Sequence, residues 1–120
     1  MKTLRSRSLL LLAATLLVSA LAGCKASDIQ TTPIQTLLDD PSRFDKQTVR
    51  IAGTVTRSLG ILGYGAYEVE DGTGKIPVAT QSNGAPRVGA KVGVEGEFRS
   101  AFTMGTTTVA AIVEKRRVNP

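Results

Sequence analysis

From Val49 onward the chain alternates, and the alternation is interrupted by glycine-bearing loops and never by a helical spacing. Val49, Ile51, Gly53 and Val55 interleave with Arg50, Ala52, Thr54 and Thr56. A period of two is the signature of a strand with one buried face. Gly53 in the middle predicts a bend or a close backbone approach. Tyr67 and Val69 alternate with Glu68 and Glu70, and Asp71-Gly72-Thr73-Gly74 is a turn signal. Ile76 and Val78 point inward on the returning strand, and residues 81–89, with Gly84, Pro86 and Gly89, read as a loop. Val92, Val94, Gly96 and Phe98 then face in, while Lys91, Glu95, Glu97 and Arg99 face out. The last strand, residues 106–113, is expected to place Val109, Ala111 and Val113 on one face. Residues 58–65 read as a loop or twisted hairpin, residues 100–105 as a loop, and residues 114–117 as a solvated tail. Five short alternating strands predict an all-β domain, a small closed barrel. Closure removes the unpaired edges that would otherwise template aggregation.

One short N-terminal helix precedes the strands. Thr32-Pro33 supplies an N-cap and a first-turn proline. Ile34, Leu37 and Leu38 share a face, and Asp39-Asp40-Pro41 stops the helix, because a residue before proline is pushed out of the α region. Such a helix would plug one end of the barrel.

These segments together resemble an OB-fold. Tyr67-Glu-Val-Glu-Asp71-Gly-Thr-Gly-Lys-Ile-Pro-Val78 resembles its second and third strands, where Asp-x-(Thr/Ser)-Gly precedes an apolar return. Gly89-Ala-Lys-Val-Gly-Val-Glu-Gly96 resembles the fourth, and Val49-Arg-Ile-Ala-Gly53-Thr-Val55 the first. The resemblance covers residues 47–115 and is similar to small periplasmic or lipid-anchored OB-fold domains of bacteria. One departure is that many OB-folds carry a helix between strands three and four. Here residues 81–89 are too short and too rich in glycine and proline for one.

The first 24 residues have a separate character. Lys2, Arg5 and Arg7 precede an apolar run from Leu9 to Ala22, 14 residues long, broken only by Thr15 and Ser19. A membrane span needs about 20. A basic start, a short apolar run and small residues at a cleavage point define a secretory leader. Leu21-Ala22-Gly23-Cys24 resembles the lipobox of bacterial lipoproteins. That resemblance implies cleavage before Cys24, diacylglycerol on its thiol and an acyl chain, such as palmitate, on its amine. Each buried CH₂ contributes about 0.8 kcal/mol, so several chains anchor firmly. Lys25 rather than aspartate comes next, which in that family implies the outer membrane, facing the periplasm. The expected organisation is a leader (1–23), a lipidated tether (24–31) and an OB-fold-like domain (32–117).

The leader also carries charge away. The chain has 15 basic and 10 acidic residues. Removing the three leader cations leaves 12 against 10, a mildly basic remainder of net +2.

The catalytic inventory is thin. There is no histidine, so the commonest general base and metal ligand is missing. The lone Cys24 is committed to lipid, which excludes thiolate catalysis and cysteine zinc sites. Without histidine, the haem-chaperone role of some periplasmic OB-folds is excluded as well. Glu68 with Glu70, and Glu95 with Glu97, share faces as i, i+2 pairs, a pattern better explained by a solvated barrel wall. Residues 60–65 are glycine-rich but lack the Lys-Ser/Thr sequel and helix of a phosphate cradle. The expectation is no enzyme, no metal and no cofactor.

An OB-fold binds ligands on the face of strands two and three, between the loops joining strands one to two and four to five. Tyr64, Arg57, Lys75 and Arg99 fall around that face, and Glu68 and Glu70 oppose phosphate there. Leu59, Ile61 and Leu62 in one loop, and Phe102 and Met104 in the other, are expected to lie close together as an apolar contact patch. The leading expectation is a lipid-anchored, non-enzymatic binding module that meets an envelope protein or glycan through these loops. The alternative is a single-stranded nucleic-acid or anion-binding domain.

Overall fold

The computed structural model describes residues 29–61, 64–81 and 84–120, without the side chains of Ile61 and Tyr64. The leader (1–23), Cys24 and Leu62 lie outside the described residues. Two short helices, α1 (Ile34–Asp39) and α2 (Pro41–Phe44), precede five strands. These are β1 (Thr48–Ile61), β2 (Tyr64–Glu70), β3 (Lys75–Thr80), β4 (Lys91–Met104) and β5 (Thr107–Val118). They close in the order β1-β2-β3-β5-β4, antiparallel except where β3 meets β5. That is the OB-fold arrangement. Among the described residues, no helix is long and apolar enough to cross a membrane.

The alternating residues make the core as the pattern requires. Val49, Ile51, Val55, Tyr67, Val69, Ile76, Val78, Val92, Val94 and Phe98 are all buried. Burying such side chains contributes about 1.5–3 kcal/mol each. β1 serves two neighbours in turn: residues 48–54 pair with β4 and residues 54–61 with β2. A bulge between Val55 and Arg57 marks the change. There the β3–β4 connection clamps the strand, with Val55 N–H donating to Ala90 O (2.9 Å) and Gly89 N–H to Val55 O (2.8 Å). The described part of that connection contains no helix.

One barrel end is plugged by Ile34 and Leu37, both fully buried, with Leu38 and Phe44 beside them. The single helix expected is in fact two, because Pro41 breaks α1 and then opens α2 as a first-turn proline. Thr32 does not cap α1. The N-cap is Pro33, with no side-chain bond of its own. Asp71 of the β2–β3 turn does the capping, its Oδ2 accepting from Ile34 N–H at 2.9 Å. Its Oδ1 accepts from Thr73 N–H (2.8 Å), Thr73 Oγ1 (2.6 Å) and Gly74 N–H (3.1 Å). Partial burial pushes the Asp71 carboxyl up, but these bonds outweigh it and hold it below the ordinary range. One side chain thus orders a turn and docks a helix. Asp71→Ala is expected to cost about 2 kcal/mol, the upper end for a lost cap. Urea unfolding reads it, and a loss no larger than that of an exposed Gln81→Ala control would contradict the assignment.

Three strand ends differ from the sequence expectation. β1 runs to Ile61 and β4 to Met104, so both expected loops are largely extended two-stranded arms. The expected solvated tail, residues 114–117, is the end of β5. The inward set on β5 is Ala110, Ile112 and Glu114, the opposite parity from Val109, Ala111 and Val113, although Ala111 is buried too.

Candidate functional site

The outer face of β1, β2 and β3 is fixed by the register. Tyr67 and Val69 fill the core, so Ala66, Glu68 and Glu70 point out. Arg57 and Pro77 flank Glu68, Leu59 and Ala79 flank Ala66, and Lys75 faces Glu70. Arg57, Ser58, Leu59, Ala66, Glu68 and Pro77 line a shallow groove of about 350 Å³ over Tyr67. Its floor is apolar, and Leu59 is 62% exposed. Glu68 accepts from Thr56 Oγ1 at 2.7 Å. Arg57 and Lys75 are exposed and have no partner among the described residues.

The expected site residues divide. Arg57 and Lys75 share this face. Tyr64 and Ile61 are placed by their backbones, facing each other at the end of the β1–β2 arm. Their side chains, like Leu62, lie outside the description. Arg99 and Phe102 belong to the β4–β5 arm, where Arg99 is paired with Glu97 at 2.8 Å and Phe102 faces Val109.

The two arms do not lie side by side as expected. Gly65 faces Thr80, so the β1–β2 arm leaves beyond the end of β3. There it abuts Ala85: a Cβ on Gly65 would lie 3.1 Å from that residue. Val78 pairs in parallel with Ile112, so the start of β5 and its arm run past the other end of β3, near Lys75. The arms therefore bracket the outer face from opposite ends, which is how an OB-fold frames a ligand.

A second hollow, of about 560 Å³, lies at the bend of β1, lined by Thr54, Glu70, Asp71 and Lys91 among others. The oxygens of Asp71 are already engaged in the turn and the α1 cap. Among the described residues, no three histidine, cysteine, aspartate or glutamate side chains converge.

Sequence reasoning missed one cluster. Glu114, its side chain 1% exposed, closes the barrel end opposite the helices. It accepts from Tyr67 Oη, from Thr80 Oγ1 at 2.6 Å and from Arg117 Nε at 2.8 Å. Arg117 lies over the Tyr67 ring, 5.3 Å from its centroid, and donates to Gly84 O. Burial drives the Tyr67 hydroxyl pKa well up, and the Glu114 carboxylate adds to it. Burial also pushes Glu114 up, but the bonds from Thr80, Tyr67 and Arg117 outweigh it and hold the carboxyl below the usual range. The only available signal was parity: with Ile112 inward, Glu114 must be inward.

No family model matches the sequence, and no curated relative does. Among solved structures, asparaginyl-tRNA synthetase from Pyrococcus horikoshii is similar, with a TM-score of 0.60 and 19% identity over 76% of this chain. The same enzyme complexed with asparaginyl-adenylate is similar to the same degree. The match spans 23% and 22% of those synthetase chains, so the likeness concerns the fold alone.

Proposed function

We propose that this chain is a non-enzymatic binding module, and that it takes an extended single-stranded nucleic acid or similar anionic chain across the outer face of β1, β2 and β3. The observation that carries this reading is the bracketed groove lined by Arg57, with Lys75 on the same outer face, neither having a partner among the described residues. The fold likeness to a tRNA synthetase supports the same ligand class. Glu68 and Glu70 lie on the face too, so binding is expected to be weak and salt-sensitive. Two phosphate contacts give a slope of log K against log salt of about −1.4. Arg57→Glu should remove binding. Anisotropy of a fluorescein-labelled oligothymidine, titrated from low to physiological salt, measures both. No binding at the lowest salt overturns this reading.

A second reading keeps the face and changes the ligand to an envelope protein or glycan. Exposed Leu59 above an apolar floor of Ala66 and Pro77 favours it. A pull-down from detergent-solubilised envelopes with wild type and Leu59→Asp tests it, and identical partner lists remove it.

Both readings place the module on a membrane, facing the periplasm on the outer membrane, through lipid on Cys24. The Leu21-Ala22-Gly23-Cys24 motif after a short apolar run supports the anchor. Intact-mass analysis of the native product tests it: a free thiol at Cys24 overturns it.

A further inference from the structure

The direction in which the chain enters the barrel sets the direction in which any anchor lies. Thr31 pairs in parallel with Arg50, on the β2-facing edge of β1 at a stretch that β2 does not reach, and Thr32 N–H donates to Arg50 O at 2.8 Å. In a parallel pairing, Ile29 comes level with Thr48, so the described chain enters from the side of the start of β1. β4 runs antiparallel to β1, with Glu97 opposite Thr48. The pairing continues outward, with Phe98 N–H donating to Gln47 O (2.9 Å) and Lys46 N–H to Phe98 O (2.7 Å). Ser100 N–H then donates to Asp45 Oδ1 at 2.8 Å. The β4–β5 arm beyond that point projects to the same side as the incoming chain.

The tether is shorter than the arm. Five Cα-to-Cα steps lead from Cys24 to Ile29, a reach of at most about 17 Å. The arm runs seven residues past Glu97 to Met104, about 23 Å. With the start of β1 turned toward the bilayer, a lipid anchor on Cys24 brings that arm within reach of it. The composition of the arm suits such proximity. From Ser100 to Val113 there are 14 residues and no charge. Phe102, Met104 and Val109 are only half-buried and lie outside the core cluster. Exposed apolar side chains without a neighbouring charge can enter an interface without desolvating an ion.

We infer that the β4–β5 arm is a second membrane contact, its Phe102–Met104 tip seated in the headgroup and upper acyl region beside the lipidated Cys24. This rests on the lipid anchor proposed for Cys24. It fixes the orientation of the domain: the arm and tether point to the membrane, and the β1–β2 arm and the β3–β4 connection point away. The outer face of β2 and β3 then stands upright on the membrane, open to a ligand.

Cys24 is the sole cysteine, so once it is lipidated an added cysteine is the only thiol available to a dye. The full lipidated chain is prepared with Thr106→Cys, or with Arg87→Cys in the β3–β4 connection, and each is labelled with an environment-sensitive fluorophore. Both are placed in vesicles of phosphatidylethanolamine and phosphatidylglycerol carrying nitroxide on the acyl chains. The Thr106 label is expected to lose about half its emission, as a group sunk about 5–10 Å into the interface does. The Arg87 label is expected to stay bright. Adding Phe102→Asp to the Thr106 variant should restore its emission. Lipidated protein whose Thr106 label is no more quenched than the Arg87 label overturns the arm contact and leaves the anchor intact. A free Cys24 thiol by mass removes the anchor and the arm contact with it.

Discussion

Replacing Glu114 with alanine should destabilise the domain by about 3 kcal/mol, the low end of the range for breaking a buried ion pair. The reason is what the deletion leaves behind. Tyr67 Oη and Thr80 Oγ1 lose their acceptor in a barrel end where Thr80 is 3% exposed. Arg117 loses its counter-charge at 2.8 Å and, among the described residues, keeps Gly84 O and the face of Tyr67. The low end applies because the Arg117 side chain is 27% exposed and can turn toward water. In a domain of this size the loss lowers Tm by about 12 °C or more. Glu114→Gln preserves shape and one acceptor, and should cost less than half as much. Replacing Glu114 and Arg117 together by leucine should cost less than Glu114→Ala, since nothing charged is then stranded. Thermal unfolding of the three variants checks the ranking. If the single alanine variant melted with wild type, the cluster would contribute nothing to stability.

The same carboxylate gives the stability a pH dependence of known sign. The Glu114 carboxyl is held below its ordinary range in the folded chain, and Asp71 is held low as well. A depressed carboxylate stabilises fully above the unfolded value, about 4.3 for glutamate, and loses that contribution as pH falls through the folded value. Stability should therefore be flat near neutrality and fall below about pH 4. The decline should be shallower in Glu114→Gln, which has no proton to take up there.

The β5 strand shows where the sequence was legible and where it was not. On β1 to β4 each apolar residue is followed by a polar or small one, so period two names the inward face directly, and the register agrees. Val109-Ala110-Ala111-Ile112-Val113 is apolar throughout, and either parity satisfies it. The correct parity carries an acid inward at Glu114, which a hydrophobic pattern rejects. The hydroxyls of Tyr67 and Thr80, 47 and 34 residues away in sequence, join Arg117 in making that burial tolerable. The cap of α1 failed for a similar reason. A local reading looks to Thr32, and the partner is Asp71, 37 residues from Ile34. The candidate ligand face was legible at Lys75, which alternates with inward Ile76, but Arg57 shares the parity of inward Val55 and faces out only because of the bulge between them. The arms were not, because arm length depends on how far two strands stay paired beyond the core, and Ser, Thr and Gly residues suit a ladder as well as a loop.

Gly53→Ala should cost about 3 kcal/mol, at the top of the range for overpacking. Gly53 faces the barrel interior at the point where β1 passes from β4 to β2: Thr54 is the last residue paired with Lys91 and the first paired with Glu70. A Cβ there would run into the Glu70 carbonyl oxygen, 2.8 Å from its carbon and 3.0 Å from Val69 Cγ1. Backbone cannot rotate aside as a side chain can, so one of two strands must move. Either movement opens the pairing between β1 and β2, the joint that lets a single strand serve two sheet neighbours and close a five-stranded barrel. Gly60 on the same strand is the control. Its nearest neighbour to a new Cβ is Ala85 Cβ at 3.9 Å, an ordinary contact, so Gly60→Ala should stay within about 0.5 kcal/mol of wild type. Urea unfolding of the pair separates a steric requirement from the general weakness of glycine in strands. Equal midpoints for the two variants would mean that the bend in β1 does not depend on the missing side chain.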